Sequence, residues 1–260
     1  MPVFKASLLE LRDHLDNLGL SYGMNVAIHS NLFSFGLLEN GVEGLYHSIR
    51  SIIGPDATIV VPTYNLNLTN EDIFDPLKTK PFGMGIFSNY IMNRSDSLRT
   101  LSPIHSHAIN GPLQKKLFSS NYKISMGPNS IFEDMQKENF YLLLLGCSFQ
   151  DGATFIHHVE ACTGVCYRQW INLERVIRIS KNVTEEIRLK YYGRKADNRN
   201  KTNLDLFQKK IVKAGICSKV IFRNSSSFLV NFEVLFSFAQ QQILSDQNIF
   251  LQSNEHKTSS

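Results

Sequence analysis

Apolar residues recur at Leu8, Leu11, Leu15 and Leu18, with Arg12, Asp13 and Asp16 between them. That spacing predicts an amphipathic helix ending near Leu20 and Ser21, before the turn residue Gly23. The next apolar run, NVAIHS, is too short for a helix and reads as a strand with His29 and Ser30 at its C-terminal end. A glycine-bearing loop, FGLLENGVEG, leads into a helix reaching about Ile53. Gly54-Pro55-Asp56 then turns the chain, and ATIVVPTY supplies a second strand that ends in polar groups. The polar, Pro- and Gly-rich residues from Asn65 to Gly85 predict a long loop of the kind that carries function.

A helix is expected from Ile86 to about Arg94, and SPIHSHAING reads as a short strand bearing histidines. YLLLLG, Tyr141 to Gly146, predicts the most buried central strand, and DGAT is placed to cap a helix starting near Thr154. Beyond Trp170, VIRIS and EEIRLKYYG predict two strands added antiparallel to the sheet. A helix over 204–214, the strand SKVIFR and a helix from Asn231 to Ile243 complete the series. Strand–helix–strand order gives α/β layering. Without an internal repeat or a linker, the expectation is one domain over 1–250 and a disordered tail over 251–260.

Composition narrows the function. With 260 residues, 43% of them hydrophobic, the chain is long enough for one large core. A net charge of +4, its cations scattered, suits an anionic small ligand better than a nucleic acid. The N-terminal MPVFKASLLELRDHL has no basic flank before an apolar core, and no apolar run approaches a bilayer span, so neither a signal peptide nor a membrane partner is expected. Four cysteines with no CxxC spacing imply free thiols in the cytoplasm.

Candidate chemistry gathers in FIHHVE. His157 and Glu160 stand three apart, so on a helix they share a face. There a carboxylate can orient an imidazole whose free nitrogen takes a proton from a nucleophile. His158 points elsewhere, toward packing or a ligand. The pair also reads as a polar helix end with surface histidines, since HxxE is short and common. His105 and His107, two apart in a strand, share one face and with His157 and Glu160 offer metal ligands; a zinc hydrolase is that reading, although no HExxH occurs. GCSFQ is not a nucleophile elbow, so Ser148 gains no support, and Cys147 reads as a buried thiol. FGMGIF and FGLLENG match neither a P-loop nor a dinucleotide fingerprint.

The segments HSNLFSFGLLENGVEGL, GPDATIVVPTY, FDPLKTKPFGMG, SPIHSHAINGP, GPNSIFE, LLLLG and TFIHHVEACTGVCYR follow one another in an order that resembles the aminoglycoside 3-N-acetyltransferase family. The resemblance runs from about Leu9 to Arg194, with the TxxHxxE and PxHS elements its most specific parts. It implies a three-layer α/β/α sandwich around a mixed sheet, unlike the GNAT fold, and acetyl-CoA or another acyl-CoA as cosubstrate with no metal. His157 and Glu160 fall at the implied catalytic centre. The implied cofactor contacts are His29, Ser30, Asn31, Leu32, Phe33, Gly41, Thr63, His105 and Ser106. Tyr64, Asp75, Phe82 and His158 fall on the acceptor side.

On this resemblance His157 takes a proton from an amine that attacks the thioester directly. The oxyanion would be met by backbone N–H groups near Asn31 to Phe33 or by the Ser30 hydroxyl. Glu71, Asp72 and Asp75 suit a polycationic aminoglycoside, but Lys78, Lys80 and the basic chain favour a nucleotide-linked amino deoxysugar of surface polysaccharide synthesis. The aminoglycoside is the alternative acceptor, and a non-catalytic sugar-binding protein is a further one. A small-molecule substrate is the expected partner, and a homodimer is compatible with the sequence.

Overall fold

The structure is a computed structural model and describes residues 5–196 and 201–252. Its centre is a mixed sheet of seven strands. Val26–Ser30 lies in the middle, parallel to both Tyr141–Leu145 and Ile59–Pro62. Antiparallel strands extend both sides: Ser225–Asn231 and then Ser218–Phe222 beyond Tyr141–Leu145, and His107–Asn110 and then Ser97–Arg99 beyond Ile59–Pro62.

Alternation along these strands divides the core. Ala27, Val60, Leu142 and Leu144 face one layer, and Val26, Ile28, Ile59, Val61, Leu143 and Leu145 face the other. Both faces are apolar because helices cover both, so the parallel strands read as continuous hydrophobic runs. The helices Leu8–Leu18, Gly41–Ile53 and Ile86–Met92 cover one side; Ile131–Lys137, Phe155–Thr163, Asp205–Lys213 and Phe232–Ser245 cover the other. This is the three-layer α/β/α arrangement expected.

The first helix stops at Leu18, earlier than its apolar spacing suggests, because Gly19 takes the left-handed conformation at φ 97° and closes it. Its start is fixed by a reciprocal cap between Ser7 and Glu10.

The strands after Trp170 depart from expectation. Arg168–Ser180 and Val183–Arg194 do not extend the central sheet; they pair with each other as a long antiparallel hairpin. The remaining edge of Arg168–Ser180 takes Ile73–Phe74 in parallel, from within the segment expected to be loop. This second sheet has its own apolar centre of Phe74, Ile104, Ile177, Ile187 and Leu189, which is why it stands apart. The place beside Tyr141–Leu145 goes to Ser225–Asn231, whose three serines mask a strand in the sequence. The expected tail begins in order, since Leu251 bridges Thr202; residues 253–260 of it lie outside the described residues.

Candidate active site

The helix Phe155–Thr163 puts His157 and Glu160 on one face, as the spacing predicts. His157 Nδ1 lies 2.7 Å from Glu160 Oε2. Glu160 has no exposed surface, whereas the His157 side chain keeps 28% of its own. Burial works to raise the Glu160 pKa, but His157, Arg168 and the Tyr167 hydroxyl outweigh it and hold the carboxyl below its ordinary value. An ionised carboxylate only accepts, so the proton between the two groups sits on Nδ1 and leaves Nε2 with its lone pair.

Two partners of Glu160 come from outside its helix and left no mark in the sequence. Tyr167 donates its hydroxyl to Oε1. Arg168, buried to 6% at its side chain, places Nε 2.7 Å from Oε2 as an ion pair without an aligned N–H···O bond. Arg168 Nη2 lies 3.0 Å from His157 Nδ1; a guanidinium only donates, so with the proton on Nδ1 this is a close approach of two donors, both of whose groups come within 2.7 Å of Glu160 Oε2, and not a hydrogen bond.

A cleft of about 1020 Å³ opens at the C-terminal end of the strand Val26–Ser30; His157 and Glu160 are not among the residues that line it. His29, Ser30, Asn31, Leu32, Phe33 and Gly41 line it, as the resemblance implied. Gly36, Leu37, Leu38, Val42, Pro62, Gly83–Ile86, Ser88, Cys147 and Asp151 also line it. Gly152, at the end of the short helix Phe149–Gly152, packs behind two of these residues: a Cβ there would fall 2.7 Å from Leu144 Cδ2, 3.0 Å from His29 Cβ and 3.3 Å from Cys147 Sγ. Another glycine, Gly146, follows the strand Tyr141–Leu145 at φ 65°, and a Cβ there would strike Ser34 Oγ and the Asn31 carbonyl.

Other expected site residues take different places. Thr63 and Ser106 are fully buried, and their hydroxyls hold each other and Arg99 behind the cleft rather than facing into it. The Asn31 N–H is spent on the Leu145 carbonyl at 2.9 Å, and Leu32 and Phe33 stand at the open start of a 3₁₀ turn. Asp75 closes its own turn through the Leu77 N–H and pairs with Arg178 at 3.1 Å. Phe82 is 62% exposed.

His158 belongs to the packing. Its Nδ1 accepts the Gly127 N–H at 3.1 Å, its Nε2 faces Gln136 Oε1 at 3.2 Å, and its ring lies against Phe132 and Phe155. Burial pushes its pKa down to about 4, consistent with the neutral form those two bonds require.

Tyr64 ties the halves together. Its ring lies 6.4 Å from His29 and 4.9 Å from His105, and its hydroxyl is 2.9 Å from His107 Nε2. His107 opens its strand whereas His105 precedes it, so the two meet through Tyr64 rather than through strand alternation. Burial lowers the pKa of His29 to about 4 and that of His105 to about 3, and holds His107 well below its usual value. Among the described residues, no three His, Cys, Asp or Glu side chains converge as a metal site.

A family model described as aminoglycoside 3-N-acetyltransferase matches residues 27–243. The chain belongs to that family. Aminoglycoside N(3)-acetyltransferase IV from Salmonella is 30% identical over 161 residues, 61% of this chain and 60% of that protein. Aminoglycoside N(3)-acetyltransferase III from Salmonella is 24% identical over 182 residues, 63% of each chain. The match therefore spans less than two thirds of these relatives' length. The solved AAC-IIIb binary complex with CoASH shares the fold at a TM-score of 0.81, with 16% identity over 93% of this chain and 97% of its own. The His157–Glu160 pair lies within the matched segment.

Proposed function

We propose that the protein is an acyl-CoA-dependent N-acetyltransferase that acts on an amino group of an aminoglycoside. The observation that carries this reading is the His157–Glu160 pair, with Nδ1 tied to a buried carboxylate and Nε2 free. The relatives' names support the acceptor, and the CoASH bound to AAC-IIIb supports the donor. The acyl thioester would occupy the cleft, its pantetheine arm along the apolar wall of Leu32, Leu37, Leu38 and Val42.

The amine nitrogen attacks the thioester carbonyl carbon as its proton passes to His157 Nε2. Glu160 offsets the charge that the ring then carries. The Leu32 and Phe33 N–H groups meet the oxyanion. The attack forms the C–N bond; collapse of the tetrahedral intermediate restores the C=O bond and breaks C–S, and the proton on His157 goes to the departing sulfur, giving N-acyl product and free coenzyme A. No enzyme nucleophile is needed; burial pushes the nearby Cys147 thiol up to about 12, which keeps it protonated.

One observation favours a second acceptor, a nucleotide-linked amino deoxysugar. Two of the three carboxylates expected to receive a polycation already have partners: Asp75 pairs with Arg178, and Asp72 accepts the N–H and hydroxyl of Thr69 with the Arg175 charge acting on it. Coenzyme A release from acetyl-CoA, with aminoglycosides in one series and nucleotide-linked 3-amino and 4-amino deoxysugars in the other, separates the two. Turnover in the first series alone supports the aminoglycoside reading. Turnover in the second alone replaces the acceptor and keeps the chemistry, and silence in both overturns the function.

A further inference from the structure

The Glu160 carboxylate is the most buried charge of the site, and its environment exceeds what orienting one imidazole requires. Three polar side chains contact it. His157 comes from its own helix, and Tyr167 and Arg168 come from the start of the hairpin. Tyr167 and Arg168 touch the carboxylate directly from the side away from the helix, one on each oxygen.

We propose that Arg168, assisted by Tyr167, keeps Glu160 in its carboxylate form and thereby fixes the ring proton of His157 on Nδ1, which makes Arg168 a positioning residue for acyl transfer. The inference rests on His157 acting as the base.

A carboxyl group with no exposed surface favours its neutral form. Once protonated, Glu160 carries a hydrogen to donate, and the acceptor 2.7 Å away is His157 Nδ1. The ring proton must then stand on Nε2, the nitrogen that has to receive the proton of the amine. A single protonation on Glu160 thus disables the base without moving a heavy atom. Arg168 opposes that protonation through its charge, and the Tyr167 hydroxyl, which donates to Oε1, opposes it through a hydrogen bond.

The hairpin therefore has a catalytic consequence. Arg168 is the first residue of its strand, paired with Arg194 on the opposite strand, and its Nη1 reaches the Tyr192 carbonyl at 3.4 Å. The guanidinium is held by backbone geometry on one side and presented to the helix on the other.

The test reads the tautomer directly. Long-range 1H–15N spectra of the ligand-free protein, with the His157 signals assigned by a His157→Gln variant, show which ring nitrogen bears the proton. The parent is expected to show Nδ1–H at pH 7. Arg168→Met is expected to show Nε2–H at pH 7 and to return to Nδ1–H as the pH is raised, with kcat falling by roughly a hundredfold at pH 7. That loss should diminish at alkaline pH while the KM for acetyl-CoA changes little.

Arg168→Lys should keep the parental tautomer, and Tyr167→Phe should move the alkaline recovery by a smaller amount. These two variants carry the test if Arg168→Met does not fold. Nδ1–H in Arg168→Met at pH 7, or a kcat loss equal at every pH, overturns the proposal. If the Met variant does not fold, Nε2–H in Arg168→Lys, or no change in the pH dependence of Tyr167→Phe, does so. Because the spectra need no turnover, a parent with no acetyl transfer would refute the proposed function separately from the tautomer control.

Discussion

His157 is the residue on which the chemistry turns, and its surroundings set what its loss should do. It is part-exposed over a buried carboxylate, so His157→Gln removes the base while leaving the fold and the cleft in place. The expected result is a fall in kcat of about 10²–10⁴-fold with acetyl-CoA affinity preserved, read by steady-state turnover alongside calorimetric binding. Equal losses in binding and turnover would place His157 in donor recognition instead.

At this scale the sequence disclosed the pair but not its supports. HxxE has a helical period, whereas Tyr167 and Arg168 reach Glu160 across the turn after Gly164, and no periodicity encodes that return. His158 was misleading for a similar reason: adjacency to His157 says nothing about the Gly127 and Gln136 groups that claim its two nitrogens.

Elements deliver these residues through close approaches. Gly146 follows the strand Tyr141–Leu145 where the chain must pass under the Asn31 turn, and its positive φ leaves no room for a side chain. Gly146→Ala is expected to lower stability by about 2 kcal/mol or more and to distort the Asn31 to Ser34 segment of the cleft. Urea denaturation together with acetyl-CoA affinity would show it, and an unchanged midpoint would contradict the strain. At the helix Leu8–Leu18, Ser7→Ala removes only a surface cap and should cost about 1 kcal/mol with activity retained, measured by the same denaturation and turnover.

Elements with strong apolar periods, such as Leu8–Leu18 and Tyr141–Leu145, were legible in the sequence. The strand Ser225–Asn231 was not, because its first serines lie beside Ser218–Phe222 and only its later residues meet the core. The hairpin strands were visible as strands, but their partner is a tertiary choice fixed by the separate apolar cluster around Phe74.

At the scale of the whole fold, burial holds five histidines neutral among the described residues: His14, His29, His105, His107 and His158. An imidazole in the unfolded chain titrates near pH 6.5, about 2.5 units above the value of about 4 for His14, His29 and His158 in the fold. The unfolded state thus binds more protons as pH falls, and the stability these groups contribute is complete above about 6.5 and drains away toward pH 4. Thermal unfolding should show a Tm that is flat between pH 7 and 8 and declines below pH 6.5; a Tm unchanged down to pH 4.5 would contradict it.

At this scale the three-layer plan was legible because strand–helix–strand order and continuous apolar strands leave few alternatives. The acceptor was not, since it depends on how Asp72 and Asp75 are offset by arginines that the hairpin brings from far along the chain. The most direct test of the account is coenzyme A thiol release from acetyl-CoA by the parent and by His157→Gln, run together with a panel of aminoglycosides. The account predicts acceptor-dependent release by the parent and its near-complete loss in the variant. Equal release by both proteins, or release that does not depend on an amine, would contradict it.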